Sequence, residues 1–136
     1  MTAADASIYG QGCKGSNGVP TLALTGTGKL GSTFTVDLAS APASSAAILL
    51  LGASSAPPLP LDLGFLGAGG CLLAVGPDFP SGAPTDTSGT ASIKLPIPND
   101  SSLVRAKLWW QWLPVDKQAN QLGLTVSNFG RVLIGL

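Results

Sequence analysis

The chain has 136 residues, and 45% of them are hydrophobic, which suits one domain with a single core. Charged residues make up only 10%, and seven Lys and Arg balance seven acids, all of them Asp, so the net charge is zero. A neutral chain lacks the basic field that nucleic acids require and the polybasic patch that binds anionic membranes, so we expect neither partner.

Short strands separated by turns are the main pattern along the chain. The 18 Gly and 11 Pro interrupt it too often for a long helix. Residues 1–8 are predicted to be flexible or to pair at a sheet edge. Alternating apolar and polar residues predict strands near 21–25, 33–38 and 91–96. Other predicted elements are buried strands at Ile48–Leu51 and Cys71–Val75, a helical turn at Leu61–Leu66, and closing strands at Leu124–Val126 and Val132–Ile134.

The stretch Leu103–Leu113 alternates most clearly. Successive side chains of a strand point to opposite faces, so this stretch has a core face and a solvent face. A register slip at a bulge would exchange the two faces. The predicted core face carries Val104, Ala106, Leu108, Trp110 and Trp112, and the solvent face carries Arg105, Lys107, Trp109 and Gln111.

About eight strands at this spacing predict an all-β fold, an antiparallel β-sandwich or jelly roll. The sequence contains no internal repeat and no sign of a second domain, so residues 1–136 are interpreted as one domain. The run Ile48–Leu51 and its neighbours are too short to span a bilayer, which predicts no membrane insertion.

Two cysteines, Cys13 and Cys71, predict one disulfide, since small extracellular domains usually pair their cysteines. The alternative is two buried free thiols in a cytosolic protein. A zinc site is not expected, because the chain has no His and no CxxC pair. No basic and apolar leader follows Met1, so we interpret the chain as a mature or excised domain of a secreted protein.

Catalytic groups are scarce. Without His, the usual general base of serine and cysteine hydrolases is missing. Ser92 and Lys94 share a strand face, which we interpret as an exposed polar face rather than a nucleophile with its base. Asp62 and Asp116 are the candidate carboxylate pair of an atypical hydrolase, although nothing in their spacing requires it.

Three aspartates in predicted loops, Asp78, Asp86 and Asp100, are of the ligand type that calcium prefers. The spacing of a calcium-binding loop is absent, and aspartates at turns usually bond to their own backbone. We therefore expect no metal and no cofactor.

Six segments occur in the following order along the chain: Tyr9–Cys13, Pro58–Leu63, Gly70–Val75, Leu95–Asp100, Gln111–Asp116 and Leu122–Asn128. This order resembles a family of small secreted bacterial β domains that often form C-terminal modules of large extracellular proteins. The resemblance runs from Tyr9 to the C-terminus and implies secretion and a Cys13–Cys71 pairing. It implies no known activity, so no functional residue is carried over.

Two functions compete, and an enzyme is a weaker third. Low charge and high apolar content favour a non-catalytic secreted domain that associates with its own copies or with an extracellular parent protein. The alternative is a carbohydrate-binding module, in which Trp109 stacks on a sugar beside Gln111 and Lys107. Trp109 would be unavailable if a loop or a neighbouring subunit covered it.

Overall fold

Strands in this chain are short because Gly and Pro end them. The computed structural model describes residues 4–52, 61–75 and 79–136. The helices in these ranges are two 3₁₀ helices, Leu63–Leu66 and Ser101–Leu103, and no helix there is long and apolar enough to cross a membrane. The strands are β1 (Asp5–Tyr9), β2 (Thr21–Thr25), β3 (Thr33–Ala39), β4 (Ala46–Gly52), β5 (Leu61–Asp62), β6 (Leu72–Leu73), β7 (Phe79–Pro84), β8 (Ala91–Pro96), β9 (Lys107–Pro114) and β10 (Phe129–Leu133).

The largest sheet has five antiparallel strands in the order β1-β10-β9-β4-β7. Its central strand, β9, places Trp110 opposite Gly130 of β10 on one side and Leu51 of β4 on the other. The edge strand β7 contains Pro80 and Pro84, which lack a backbone N–H and are tolerated where no further strand pairs.

A second sheet contains β2, β3 and β8 in the order β2-β3-β8, again antiparallel. In its central strand, Val36 lies opposite Leu24 of β2 and Ile93 of β8. The short strands β5 and β6 pair with each other, outside both larger sheets.

The two larger sheets share one hydrophobic core, so they form an antiparallel β-sandwich. Phe34, Val36 and Leu38 point into it from β3, and Trp110 and Trp112 point into it from β9. The rings of Phe34 and Trp110 meet edge to face, with centroids 5.7 Å apart. The predicted all-β fold class and the predicted core face of β9 at both tryptophans are confirmed.

Two side chains also connect the sheets by hydrogen bonds. The indole Nε1–H of Trp112 donates to the carbonyl oxygen of Asp37 at 3.1 Å. The Asn128 side-chain oxygen accepts from the Leu22 backbone N–H at 2.6 Å, and its amide donates to the Leu22 carbonyl at 3.1 Å. The Asn128 side chain thus pairs with both backbone polar groups of Leu22, as the backbone of a neighbouring strand would. These bonds hold β2 beside the start of β10.

A smaller hydrophobic cluster lies on the other face of the five-stranded sheet, which we call the outer face. Residues 61–75 pack there, with Leu63 and Ala68 buried against Val126 and beside the partly buried Leu113 of β9. The Cys13–Cys71 disulfide closes this cluster and joins residues 58 apart in sequence. The predicted disulfide is confirmed.

The N-terminal segment forms an edge strand of the five-stranded sheet. Asp5–Tyr9 pairs with β10 over its whole length, with Asp5 opposite Leu133 and Tyr9 opposite Phe129. Of the two predicted forms, flexible or edge-pairing, residues 5–8 adopt the edge-paired one, and the pairing occurs within the chain itself. The free edge of β10 supplies the backbone partners that a local pattern cannot reveal.

Two predicted strands are shorter than expected. Only Leu72–Leu73 of the stretch Cys71–Val75 forms a strand, and it lies in the segment over the outer face rather than at the sandwich centre. The strand predicted from Leu103 begins at Lys107, because a 3₁₀ helix occupies the preceding residues and Arg105 has a left-handed φ of 76°.

Of two further predicted elements, one is confirmed and one is wrong. The helical turn at Leu61–Leu66 is confirmed as the 3₁₀ helix Leu63–Leu66. The strand at Leu124–Val126 is wrong: only an isolated bridge between Leu124 and Val115 forms there. Its buried residues, Thr125 and Val126, instead line the inside of a loop.

Candidate functional site on the outer sheet face

Three aromatic side chains lie together on the outer face of the five-stranded sheet. Trp109 belongs to β9, Phe129 to the adjacent β10, and Tyr9 to the edge strand β1. Trp109 lies between the inward-facing Leu108 and Trp110, so the period of two places it outward. We call Tyr9, Trp109 and Phe129 the aromatic surface.

The three rings contact one another. The centroids of Tyr9 and Phe129 are 5.7 Å apart in a stacked arrangement, and Trp109 lies 6.1 Å from Tyr9 and 6.0 Å from Phe129 in tilted arrangements. Tyr9 is 38% exposed, whereas Trp109 and Phe129 are half-buried. The cluster is therefore a continuous apolar patch with an open side, and its rings restrain one another's rotation.

A glycine makes room for this packing. Gly10 ends β1 with a left-handed φ of 70°, and a Cβ placed there would lie only 2.9 Å from the Phe129 ring. Any other residue would be strained and would displace the ring. Gly10 thus fixes the chain direction after Tyr9 and lets the Phe129 ring lie against the turn.

Charged side chains border the aromatic surface. The Arg131 guanidinium carbon lies 5.9 Å from the Tyr9 ring centroid, within the range of a cation–π contact. Arg131 Nη2 lies 3.6 Å from Asp5 Oδ2, and Arg131 Nε is buried without a hydrogen-bond partner among the described residues. This border supplies a fixed cation and an exposed carboxylate beside the rings.

The three residues predicted to form a binding site separate into two groups. Lys107 is exposed at the start of β9, and Trp109 is part of the aromatic surface. Gln111 was predicted to be exposed, which is wrong, because only 1% of it is accessible.

Gln111 does point to the outer face, but residues 61–75 cover it there. Its side-chain oxygen accepts from the Ala74 N–H at 2.9 Å. Its amide nitrogen donates to the carbonyl oxygens of Leu72 at 3.0 Å and Ser127 at 2.8 Å. Gln111 therefore anchors the covering segment and is not available to a ligand at the surface.

Tyr9, Phe129 and Arg131 were missed by the sequence interpretation. Tyr9 is the single tyrosine of the chain and directly follows the N-terminal segment 1–8, and Phe129 lies between the two predicted closing strands. The sequence signal that Tyr9 and Phe129 offered was their aromatic character alone. Only the pairing of β1 with β10 brings them to Trp109.

The two candidate carboxylates of a hydrolase have local structural contacts. Asp62 caps the first 3₁₀ helix, and its Oδ1 accepts from the Gly64 N–H at 2.8 Å. Asp116 is buried, and its Oδ2 accepts from the Ser16 N–H at 2.7 Å and from the Ser16 hydroxyl at 3.0 Å. These contacts explain both residues without catalysis. Ser92 and Lys94 are both exposed on β8, as the polar-face interpretation predicted.

The loop aspartates likewise bond to their own loops. Asp86 accepts from the Thr90 hydroxyl and from the N–H groups of Thr90 and Ser88, and these hydrogen bonds lower its pKa. The N–H and hydroxyl of Ser102 lower the pKa of Asp100 in the same way. Asp78 lies outside the described residues. Within the described ranges, no three His, Cys, Asp or Glu side chains are grouped where they could hold a metal ion.

The chain matches no protein-family model, no curated protein sequence and no solved structure. The aromatic surface and its charged border are the features of this chain that indicate a function.

Proposed function

We propose that this chain is a non-catalytic extracellular domain that binds carbohydrate on the aromatic surface. The observation that carries the proposal is the contact among Tyr9, Trp109 and Phe129 on three adjacent strands of one sheet face. A rigid strand scaffold holds such rings in place more precisely than a loop does, so little conformational entropy is lost on binding.

The chemistry of the patch suits a sugar. Aromatic rings offer an apolar face to the C–H groups of a sugar ring. Sugar hydroxyls require donors and acceptors at the margin, and Arg131, Lys107 and Asp5 supply both beside the rings. The chain as a whole has zero net charge and lacks the basic field that nucleic acids require. This favours a neutral ligand over a nucleic acid.

An extracellular setting agrees with the disulfide, since such bonds persist in oxidising compartments and are rare in the cytosol. Secretion and the likeness to small secreted bacterial domains are part of the same proposal. Polysaccharides of cell walls and matrices are the ligands that a domain in that setting meets.

Replacing Trp109 with alanine is expected to weaken binding to insoluble polysaccharide at least tenfold, because it removes the largest ring of the platform. Pull-down on cellulose, chitin and xylan, followed by a binding isotherm on whichever retains the protein, measures this change. The melting temperature of Trp109→Ala should remain within a few degrees of the parent protein, since Trp109 is half-buried.

Two further variants separate stacking from general apolar contact. Tyr9→Phe keeps the ring and should bind as the parent does, whereas Leu66→Ala removes an exposed apolar side chain from the first 3₁₀ helix and should have no effect. Binding that survives in Trp109→Ala, or absence of binding to every polysaccharide tested, would contradict the proposal.

Self-association is the second candidate, and the edge strand β1 favours it. Ile8 is 46% exposed on β1, which contains no proline, unlike β7 at the opposite edge. A strand of a second copy, or of an extracellular parent protein, can pair with such an edge. Low charge leaves little repulsion to prevent it.

Light scattering after size exclusion of the oxidised protein tests this candidate. Pairing through β1 predicts a symmetric dimer, and Ile8→Lys is expected to convert it to a monomer by placing a charge at the edge. If the unsubstituted chain is monomeric at high concentration, self-association is excluded. Carbohydrate binding is unaffected by that result and is tested by the pull-down.

A further inference from the structure

A cleft with a volume of about 400 Å³ lies where the chain leaves the edge strand β1. One wall consists of residues 10–12, which follow β1, and the other consists of residues 19–21, which lead into β2. Asn128, which directly precedes Phe129, completes the lining. Binding sites for small ligands start at about 300 Å³, so the cleft is large enough for a sugar ring.

Gly10 connects this cleft with the aromatic surface. It lines the cleft, and a Cβ placed on it would lie 2.9 Å from the Phe129 ring. Because Gly10 has no side chain, residue 10 places only backbone between the ring and the cleft. A single oxygen atom joins successive sugar rings of a polysaccharide. The neighbour of a sugar stacked on the aromatic surface therefore comes within reach of the cleft.

Close packing and hydrogen bonds fix the shape of the cleft. A Cβ on Gly12 would lie 2.5 Å from the Val126 carbonyl oxygen and 2.8 Å from the Pro20 carbonyl oxygen, so the two walls meet tightly there. Two hydrogen bonds between the Asn128 side chain and the Leu22 backbone hold the start of β2 in place. A cleft that is already formed loses little conformational entropy when a ligand binds.

Gln11 supplies the hydrogen-bonding chemistry of the cleft. It is exposed between two glycines, and no hydrogen bond joins its side chain to another described residue. A free primary amide offers N–H donors and an acceptor oxygen side by side, which matches two neighbouring hydroxyls of a sugar ring. Val19 and Pro20 in the facing wall are apolar and suit the C–H groups of the same ring.

We propose that the ligand is an oligosaccharide segment of at least two units. One unit stacks on the aromatic surface, and the next lies in the cleft, where the Gln11 amide binds two of its neighbouring hydroxyls. This inference rests on the proposed function, because the unit in the cleft continues the chain that begins on the rings. The domain therefore binds along a polysaccharide chain, and free monosaccharides are poor ligands.

Calorimetric titration of the oxidised protein with soluble sugars of increasing length tests this inference. The probes are glucose, cellobiose and cellotetraose, together with the corresponding fragments of chitin and xylan. For the polysaccharide that retains the protein in the pull-down, we expect the disaccharide to bind at least tenfold more tightly than the monosaccharide. The second unit adds hydrogen bonds and apolar contact in the cleft, and a tenfold gain is the size of effect that such contacts produce.

Gln11→Ala should weaken binding of the disaccharide and tetrasaccharide about fivefold to tenfold, which is the effect of one or two net hydrogen bonds. The affinity for the monosaccharide should stay within twofold. Gln118→Ala is the matched control, because Gln118 is also exposed but lies outside this cleft, and it should change neither affinity. Both variants should keep the melting temperature of the parent protein, since both side chains are exposed.

The outcomes separate this inference from the proposed function. Equal affinities for monosaccharide and disaccharide, or an unchanged disaccharide affinity in Gln11→Ala, would overturn the role of the cleft. Loss of binding in Trp109→Ala would then still support carbohydrate binding on the aromatic surface. Absence of binding to every sugar and polysaccharide would overturn both.

Discussion

Opening the Cys13–Cys71 disulfide is expected to lower the free energy of unfolding by about 4 kcal/mol. The bond joins residues 58 apart, and cross-linking a loop of that length restricts the unfolded chain by about this amount. For a chain of 136 residues, the melting temperature should fall by roughly 10–20 °C. Thermal and urea unfolding of the oxidised and reduced protein measure the loss.

The double variant Cys13→Ser, Cys71→Ser is the matched control for reduction. It removes the cross-link without a reducing agent, so its stability should be close to that of the reduced parent. The Cys13 backbone N–H still donates to the Val126 carbonyl at 3.1 Å, which leaves one tether in place. A melting temperature that does not change on reduction would mean that packing and the Gln111 hydrogen bonds hold residues 61–75 to the outer face without the cross-link.

Replacing Gln111 with leucine is expected to destabilise the protein by about 3–5 kcal/mol, although leucine has a similar size. The change removes two buried hydrogen bonds and one part-buried one, to Leu72, and it leaves the buried Ala74 N–H and Ser127 carbonyl without this partner. Each unsatisfied buried group costs about 1–3 kcal/mol. Urea unfolding of the variant measures the loss.

Lys107→Ala is the control for this prediction, because Lys107 lies on the same face of β9 but is exposed. Its stability should stay within about 0.5 kcal/mol of the parent. Gln111→Leu protein that folds should still bind polysaccharide, because the side chain of residue 111 is buried and is not part of the aromatic surface. A stability loss below 1 kcal/mol would show that water or rearranged backbone replaces the amide.

The alternation in β9 shows which features followed from local pattern. Trp110 and Trp112 were predicted to face the core and do so, because side-chain direction in a strand depends only on sequence parity. The same parity placed Trp109 and Gln111 outward. The disulfide followed from composition, since a small extracellular domain with two cysteines usually pairs them.

Parity does not reveal what lies over a face, and there the predictions diverged from the structure. Gln111 is buried because residues 61–75 fold back over it, whereas Trp109, two residues away, keeps an open side. Tyr9 joins Trp109 only because β1 pairs with β10, across most of the chain length. The sequence by itself determined which residues face inward or outward and how the cysteines pair. Only the tertiary structure decided which outward residues stay accessible and which distant aromatic residues meet, because both depend on long-range packing that no local period encodes.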